Sequence, residues 1–100
     1  MTNRRPVSVG EMLVEEFMSP MGLTQAALAS AMGVPRKHVN ELCNNRRSVT
    51  AATALILARV FGNSGDFWLN MQRRNDLWNV MHSPKKLERV ERARPLIKAA

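Results

Sequence analysis

Apolar positions recur every three or four residues along most of the chain, and the alternation typical of strands is absent. This period predicts amphipathic helices, each with one face turned to a common core. The five predicted helices lie near residues 9–18, 24–32, 35–44, 51–61 and 64–80. One hundred residues are enough for a single domain, so the chain is predicted to be all-α with a short C-terminal helical extension.

Residues suited to helix ends mark the boundaries of these elements. The N-cap candidates are Ser8, which forms a capping box with Glu11, then Thr24, Thr50 and either Ser64 or Asn63. Pro20 and Gly22 are expected to end the first helix near residue 18. Gly33 and Gly62 accept the left-handed conformation at little cost and are expected to end the second and fourth helices.

Residues 24–47 have the spacing of a helix-turn-helix unit. The two helices of such a unit cross closely, and Ala29 supplies the small side chain needed at the contact. Gly33, four residues later, permits the sharp turn, and Val39, six further on, reaches the core from the second helix. We call residues 24–47 the reader unit, or the reader. The chain is predicted to consist of a helix-turn-helix domain over residues 1–80, which contains this unit, and a basic C-terminal extension over residues 81–100.

The third helix separates into a polar side and an apolar side when its residues are placed at about 100° intervals. Its groove-facing candidates are Arg36, Lys37, Asn40 and Asn44. Arginine and lysine donate to guanine and asparagine pairs with adenine, so these residue types suit the reading of base edges. The alternative is a solvated helix face. Glu41 lies in the same polar arc, and we expect it to pair with Lys37 rather than to touch DNA.

Net charge supports a polyanionic partner. Fifteen Lys and Arg residues face eight Asp and Glu residues, which gives a net charge of +7 and a pI near 11.1. Nucleic acid and an anionic membrane surface are the usual partners of such a protein. Arg46 and Arg47 follow the third helix directly and are predicted to contact phosphate, with a charged loop of no specific role as the alternative.

Other classes of protein find little support in the sequence. Cys43 is the only cysteine, so no internal disulfide forms and a reducing compartment is expected. No secretory leader or membrane span is recognised, which indicates a cytoplasmic protein. His38 and His82 lack metal-ligand spacing with Cys43, and no catalytic set is present, so we expect no metal, no cofactor and no enzyme activity.

The whole pattern resembles the lambda-repressor-like (XRE) family and, within it, the HigA antitoxins of bacterial HigBA toxin–antitoxin modules. The segments that carry the resemblance are SVGEMLVEEFMSPMGLTQAALASAMGV, RRSVTAATALILARVFGNSGDFWLNMQ and DLW, within residues 6–80. The stretch SGDFWLNMQ after the fourth helix separates HigA proteins from ordinary phage repressors. The tail from residue 81 onward is not fixed by this family pattern.

The resemblance implies a function that composition does not show. HigA proteins bind and silence HigB, a ribosome-associated mRNA endonuclease, and as dimers repress their own operon at a palindromic operator. Gln25 is similar to the family position that bonds a phosphate beside exposed helix amides. A plain repressor without a toxin partner, and a toxin-binding module that no longer binds DNA, are the alternatives.

The fifth helix is too apolar for one face against four short helices, so part of its surface is expected to pack on a second chain. The dimer candidates are Ile56, Phe67, Trp68 and Trp78, with burial in the chain's own core as the alternative. The basic tail spans residues 85–98 and includes Lys98. The alternatives for this tail are a solvated helix, an extra DNA contact and part of the toxin-binding surface.

Overall fold

The computed structural model describes residues 4–97, and within that range it contains helices and no strand. The helices are α1 over residues 9–21, α2 at Gln25–Met32, α3 at Arg36–Cys43, α4 at Ala51–Phe61, α5 at Gly65–Met81 and α6 at Pro84–Glu91. The all-α class is confirmed for the described residues. None of the described helices is long and apolar enough to cross a bilayer.

The predicted N-caps Ser8, Thr24, Thr50 and Ser64 each accept a hydrogen bond from the amide three residues on. Ser83 caps α6 in the same way, and α3 follows Pro35, whose backbone is extended, without a side-chain cap. Ser64 rather than Asn63 caps α5. The amide oxygen of Asn63 instead accepts from the Trp68 indole N–H at 2.8 Å.

Helix α1 extends further than predicted. Its three consecutive stretches are α-helical Val9–Met12, π-helical Leu13–Met18 and α-helical Ser19–Met21. The Ser19 N–H bonds to the Val14 carbonyl, five residues back, which widens the turn just before Pro20. Proline lacks an amide proton and crowds the carbonyl four residues before it, and a wider turn relieves that conflict. The prediction that the helix ends near residue 18 was wrong, and Gly22, at φ +62°, ends it.

Trp68 lies at the centre of the core with no exposed surface. Phe17 of α1 and Phe61 of α4 pack around it, with ring centroids 5.3 Å and 6.1 Å from its own. Phe67 meets it edge-on at 5.0 Å. Because its own chain encloses Trp68 completely, it has no surface to offer a second chain, and its assignment to a dimer interface was wrong.

On α4, the dimer candidate Ile56 lies next to a more exposed apolar residue, and its place in an interface stays a prediction. Ile56 is half-buried and packs against the core, whereas its neighbour Leu55 is 65% exposed. Leu55 lies beside Gly65, where a β-carbon would be 3.1 Å from the leucine methyl. The prominent apolar side chain on the outer surface of α4 is therefore Leu55.

Helix α5 connects the N-terminal segment to the loop that follows α3. The Asn75 amide donates to the Val7 carbonyl at 2.8 Å and to the Met71 carbonyl at 2.9 Å. The Gln72 side chain accepts from the Val49 N–H at 2.9 Å. These bonds fix the two segments that flank the reader unit in sequence.

The C-terminal extension begins with α6, which packs on the end of α5. Glu88 and Arg92 form a surface ion pair at 3.0 Å. Lys98 of the basic tail lies outside the described residues. Since α5 ends at Met81, the predicted boundary at residue 80 falls in its last turn. The division into residues 1–80 and 81–100 stays a prediction.

Candidate nucleic-acid interface

The turn between α2 and α3 has the geometry that the spacing predicted. Gly33 has φ +71°, and the Val34 N–H bonds to the Ala29 carbonyl at 3.0 Å, which closes the end of α2. Ala29 is buried at the helix contact, and Val39 is fully buried from the α3 side. Leu28, Met32 and Leu42 complete the apolar interior of the unit. Its polar residues are thus left on the outside.

Four of the predicted DNA-binding residues meet in one shallow depression at the front of α2 and α3. The residues that line it are Gln25, Arg36, Lys37 and Asn40. The Asn40 amide donates to the Gln25 side-chain oxygen at 3.2 Å, which links the two helices across the depression. Arg36, Lys37 and Asn40 are all exposed, so their side chains are accessible to a ligand.

Asn44 lies beyond this depression. Its side-chain amide donates to the Asn40 carbonyl at 2.8 Å, which completes the last turn of α3. An amide that caps its own helix has fewer groups left for a base edge, although the residue as a whole is exposed. Its role in DNA recognition stays a prediction.

Glu41 pairs with Arg47 and not with Lys37. Two guanidinium nitrogens of Arg47 donate to one carboxylate oxygen at 2.8 Å and 3.1 Å. This hydrogen bond lowers the pKa of Glu41, and the nearby charges of Arg47, Lys37 and His38 act in the same direction. The expectation of a Lys37 partner was wrong because the chain folds back after α3 and brings Arg47 onto Glu41.

Arg46 and Arg47 therefore differ in availability. Both are exposed. Arg47 already has a carboxylate partner, whereas Arg46 forms no ion pair among residues 4–97. Both arginines border a polar recess that continues to Arg5, Ser48 and Asn79.

The side chains at the edges of α3 are structural. His38 is half-buried, and burial, followed by the charge of Arg47, lowers the pKa of its imidazole. Its Nε2 atom is enclosed with no hydrogen-bond partner among the described residues. Burial also raises the pKa of the Cys43 thiol, whose sulfur lies 3.7 Å from the Met18 sulfur.

Asn45 is a residue whose importance the sequence reasoning missed. It has φ +57°, and its side chain bonds to the first turn of α1 at Gly10 and Ser8. An asparagine just after a predicted helix is a recognised left-handed C-terminal signal, so the conformation was predictable. The partners on α1, 35 and 37 residues away in sequence, were not.

Comparison with known proteins agrees with this geometry. A family model described as "Helix-turn-helix" matches residues 15–68. The antitoxin HigA-1 of Vibrio cholerae is 54% identical over 79 residues, which cover 79% of this chain and 74% of the relative. The chain belongs to the helix-turn-helix family and, within it, to the HigA-type antitoxins. The HigA resemblance seen in the sequence is confirmed.

Solved structures of HigA-type and related antitoxins have the same fold. The antitoxin GraA in complex with its operator aligns with a TM-score of 0.84 at 35% identity, covering 98% of each chain. The Pseudomonas aeruginosa antitoxin HigA with the higBA promoter aligns with a TM-score of 0.81 at 32% identity, covering 93% of this chain and all of the other. This chain therefore shares its fold with antitoxins whose structures were solved together with operator or promoter DNA.

Proposed function

We propose that this HigA-type chain is a cytoplasmic antitoxin that binds and neutralises a HigB-type mRNA endonuclease and, as a dimer, represses its own operon. The operator-bound relatives support the DNA half of the proposal, and family membership supports the toxin half. The observation that carries the DNA half is the depression formed by Gln25, Arg36, Lys37 and Asn40 on the open side of the reader.

The depression supplies different contacts from its two helices. Gln25 lies in the first turn of α2, beside amides that have no partner within the helix, and its amide nitrogen is suited to a phosphate oxygen. Arg36, Lys37 and Asn40 project from the first two turns of α3, the part of a recognition helix that enters the major groove. Arg36 and Lys37 would read guanine, and Asn40 adenine. Arg46 adds a phosphate contact beyond the helix.

Two-fold symmetry is needed to read a palindrome. A dimer would place two copies of α3 in successive major grooves, about 34–36 Å apart. The exposed apolar side chains of α5 support this assembly: Phe67, Leu77 and Met81 are 37%, 58% and 55% exposed and fall within an arc of about 80°. Of the dimer candidates named from the sequence, Phe67 lies on this arc and Trp78 is half-buried beside it. Leu77 and Met81 are added to the proposed interface.

The decisive experiment for DNA binding removes charge from the depression alone. Arg36→Ala combined with Lys37→Ala should reduce affinity for the chain's own promoter by about 100-fold or more at fixed salt, with an unchanged melting temperature. Arg59→Ala combined with Arg73→Ala is the matched control, because it removes the same charge from exposed positions outside the depression. Equal losses in both variants would show that only net charge matters and would sink the site assignment.

The toxin half has its own test. A neighbouring reading frame should encode a small basic ribonuclease whose expression stops growth and whose effect co-expression of this chain reverses. The Arg36/Lys37 variant should rescue growth as well as the parent does, because the toxin-binding surface is proposed to lie elsewhere. Failure of the parent chain to rescue would leave a plain repressor as the function.

Dimerisation is tested by sedimentation of the free protein. Leu77→Glu should shift the protein toward monomer and weaken operator binding, because a charge is costly at a buried apolar contact. Met21→Glu is the matched control, since Met21 is exposed to a similar degree, 62%, but lies on α1. An unchanged dimer in the Leu77→Glu variant would contradict the interface on α5.

A further inference from the structure

Asn45 determines where the chain leaves the recognition helix. Its φ of +57° is a left-handed conformation that asparagine tolerates better than most residues. The Arg46 N–H bonds to the Glu41 carbonyl at 2.8 Å, and the Asn45 N–H bonds to the Leu42 carbonyl at 3.2 Å. This pair of bonds is the Schellman motif, with Asn45 in the place where glycine is usual. The backbone of Arg46 is therefore set by the conformation of Asn45.

The side chain of Asn45 forms two hydrogen bonds that a glycine at this position could not form. Its oxygen accepts from the Gly10 N–H at 2.9 Å, and its nitrogen donates to the Ser8 hydroxyl oxygen at 3.0 Å. Gly10 lies in the first turn of α1, where backbone amides have no acceptor within the helix. Asn45 thus satisfies a part-buried amide and holds the start of α1 at the same time.

Gly10 shows independently that this joint is tight. A β-carbon there would overlap the Cys43 carbonyl oxygen and lie 2.8 Å from the Asn45 side-chain oxygen. The first turn of α1 consequently meets the C-terminal end of α3 backbone to backbone. Gly10, which has no β-carbon, and Asn45, which supplies the hydrogen bonds, are thus both suited to this contact although they lie 35 residues apart.

We infer that Asn45 is a positioning residue for DNA recognition, because its amide holds the C-terminal end of α3 against the first turn of α1. The inference rests on the operator binding proposed above. The groups that depend on this end of α3 are Arg46, through its bond to the Glu41 carbonyl, and Arg47, through its ion pair with the Glu41 carboxylate. Asn45 fixes the direction from which both arginines approach the DNA backbone, and these phosphate contacts in turn set the register of α3 against the base edges.

A positioning role affects specific binding more than non-specific binding. Base edges are read through hydrogen bonds with narrow geometric tolerance, whereas attraction to phosphates is long-range and independent of sequence. A recognition helix whose end is loosened should lose affinity for its operator and keep most of its affinity for other DNA. The ratio of these two affinities separates positioning from a general loss of stability.

The test compares the full chain and its Asn45→Gly variant on two duplexes. One duplex carries the sequence upstream of the chain's own reading frame, and the other a scrambled sequence of the same composition. Glycine keeps the left-handed turn and removes both side-chain bonds, so the variant should fold. We expect operator affinity to fall about threefold to tenfold while affinity for the scrambled duplex changes by less than about twofold.

Two further variants complete the experiment. Gly10→Ala introduces a methyl group into the same contact from the α1 side. It should lower the ratio of operator affinity to scrambled-duplex affinity, as Asn45→Gly does. Asn63→Ala is the control, because it removes the 2.8 Å hydrogen bond from the Trp68 indole N–H, which lies outside both the Asn45–Gly10 contact and the recess that Arg46 and Arg47 border. It should lower the melting temperature and leave the ratio unchanged.

The outcomes are distinct. A parent chain that prefers neither duplex would overturn the proposed operator binding and this inference with it. A parent that prefers its operator, with an unchanged ratio in Asn45→Gly, would overturn the inference alone. An equal fall of the ratio in Asn63→Ala would also overturn it, because the effect would then follow stability rather than position.

Discussion

The recognition helix α3 and the first half of α5 are packed in opposite ways. Helix α3 buries Val39 and Leu42 and leaves Arg36, Lys37 and Asn40 in the open. The first half of α5 carries the SGDFWLNMQ stretch, whose central Trp68 is fully enclosed.

The difference separates recognition from support. A residue that reads DNA must keep its polar groups free until the ligand arrives, so it contributes little to folding. Trp68 is held on several sides by aromatic rings and by the Asn63 amide. A sequence motif that distinguishes a protein family can therefore be a packing motif, and the functional residues need not lie in it.

The strongest way to sharpen this contrast is Trp68→Ala. Removing the largest fully buried side chain should lower the free energy of unfolding by about 3–5 kcal/mol. The measurement is denaturant unfolding followed by circular dichroism. Met21→Ala is the control, and it should leave the stability nearly unchanged because Met21 is 62% exposed and lies outside the proposed interface. Similar losses from both changes would remove the distinction between the core around Trp68 and the surface.

Asn40→Ala tests the opposite side of the comparison. Loss of a bidentate contact to adenine should weaken operator binding by about 1–3 kcal/mol and relax the base preference at one position of each half-site. The melting temperature should stay close to that of the parent, because Asn40 is exposed and bonds only to Gln25 through its side chain. Binding to operators with single-base changes measures the effect. A uniform loss across all of these operators would indicate a phosphate contact instead.

A smaller effect is expected at the ion pair that borders the reader. Glu41→Gln removes a negative charge near the DNA backbone and releases Arg47 from its carboxylate partner. Affinity for DNA of any sequence should rise about twofold to fivefold. The slope of log affinity against log salt concentration should become steeper by about one unit. A gel-shift titration over a range of salt concentrations measures both. Glu88→Gln, which frees Arg92 on α6, is the matched control and should have less effect.

The smallest effect concerns pH. The folded state lowers the pKa of His38 below its ordinary value of 6.5, so below that value the unfolded chain binds more protons than the folded chain does. The stability contributed by the neutral imidazole is present above pH 6.5 and is lost as the pH falls through the lowered pKa. The melting temperature should decrease modestly between pH 7 and pH 5. His38→Gln should flatten this slope, and an identical slope in the variant would contradict the assignment.

The sequence by itself determined the helices and the reader. Apolar periodicity and cap residues are local signals, and they placed α2 and α3 to within a residue or two of their observed bounds. Three residues of the reader lie at fixed separations along the chain: Ala29 at the helix contact, Gly33 in the turn and Val39 in the core. Because a helix has a known pitch, these separations also indicated which side of α3 faces outward.

Tertiary structure decided everything that depends on residues distant in sequence. Trp68 was assigned to the wrong environment because periodicity gives the face of a helix and not what covers it. The partner of Glu41 was wrong because a fold-back after α3 brings Arg47 closer than Lys37. The contact of Asn45 with Gly10 and Ser8 spans more than thirty residues. Local rules fix the conformation of Asn45, but only the packing of α1 on α3 supplies its partners.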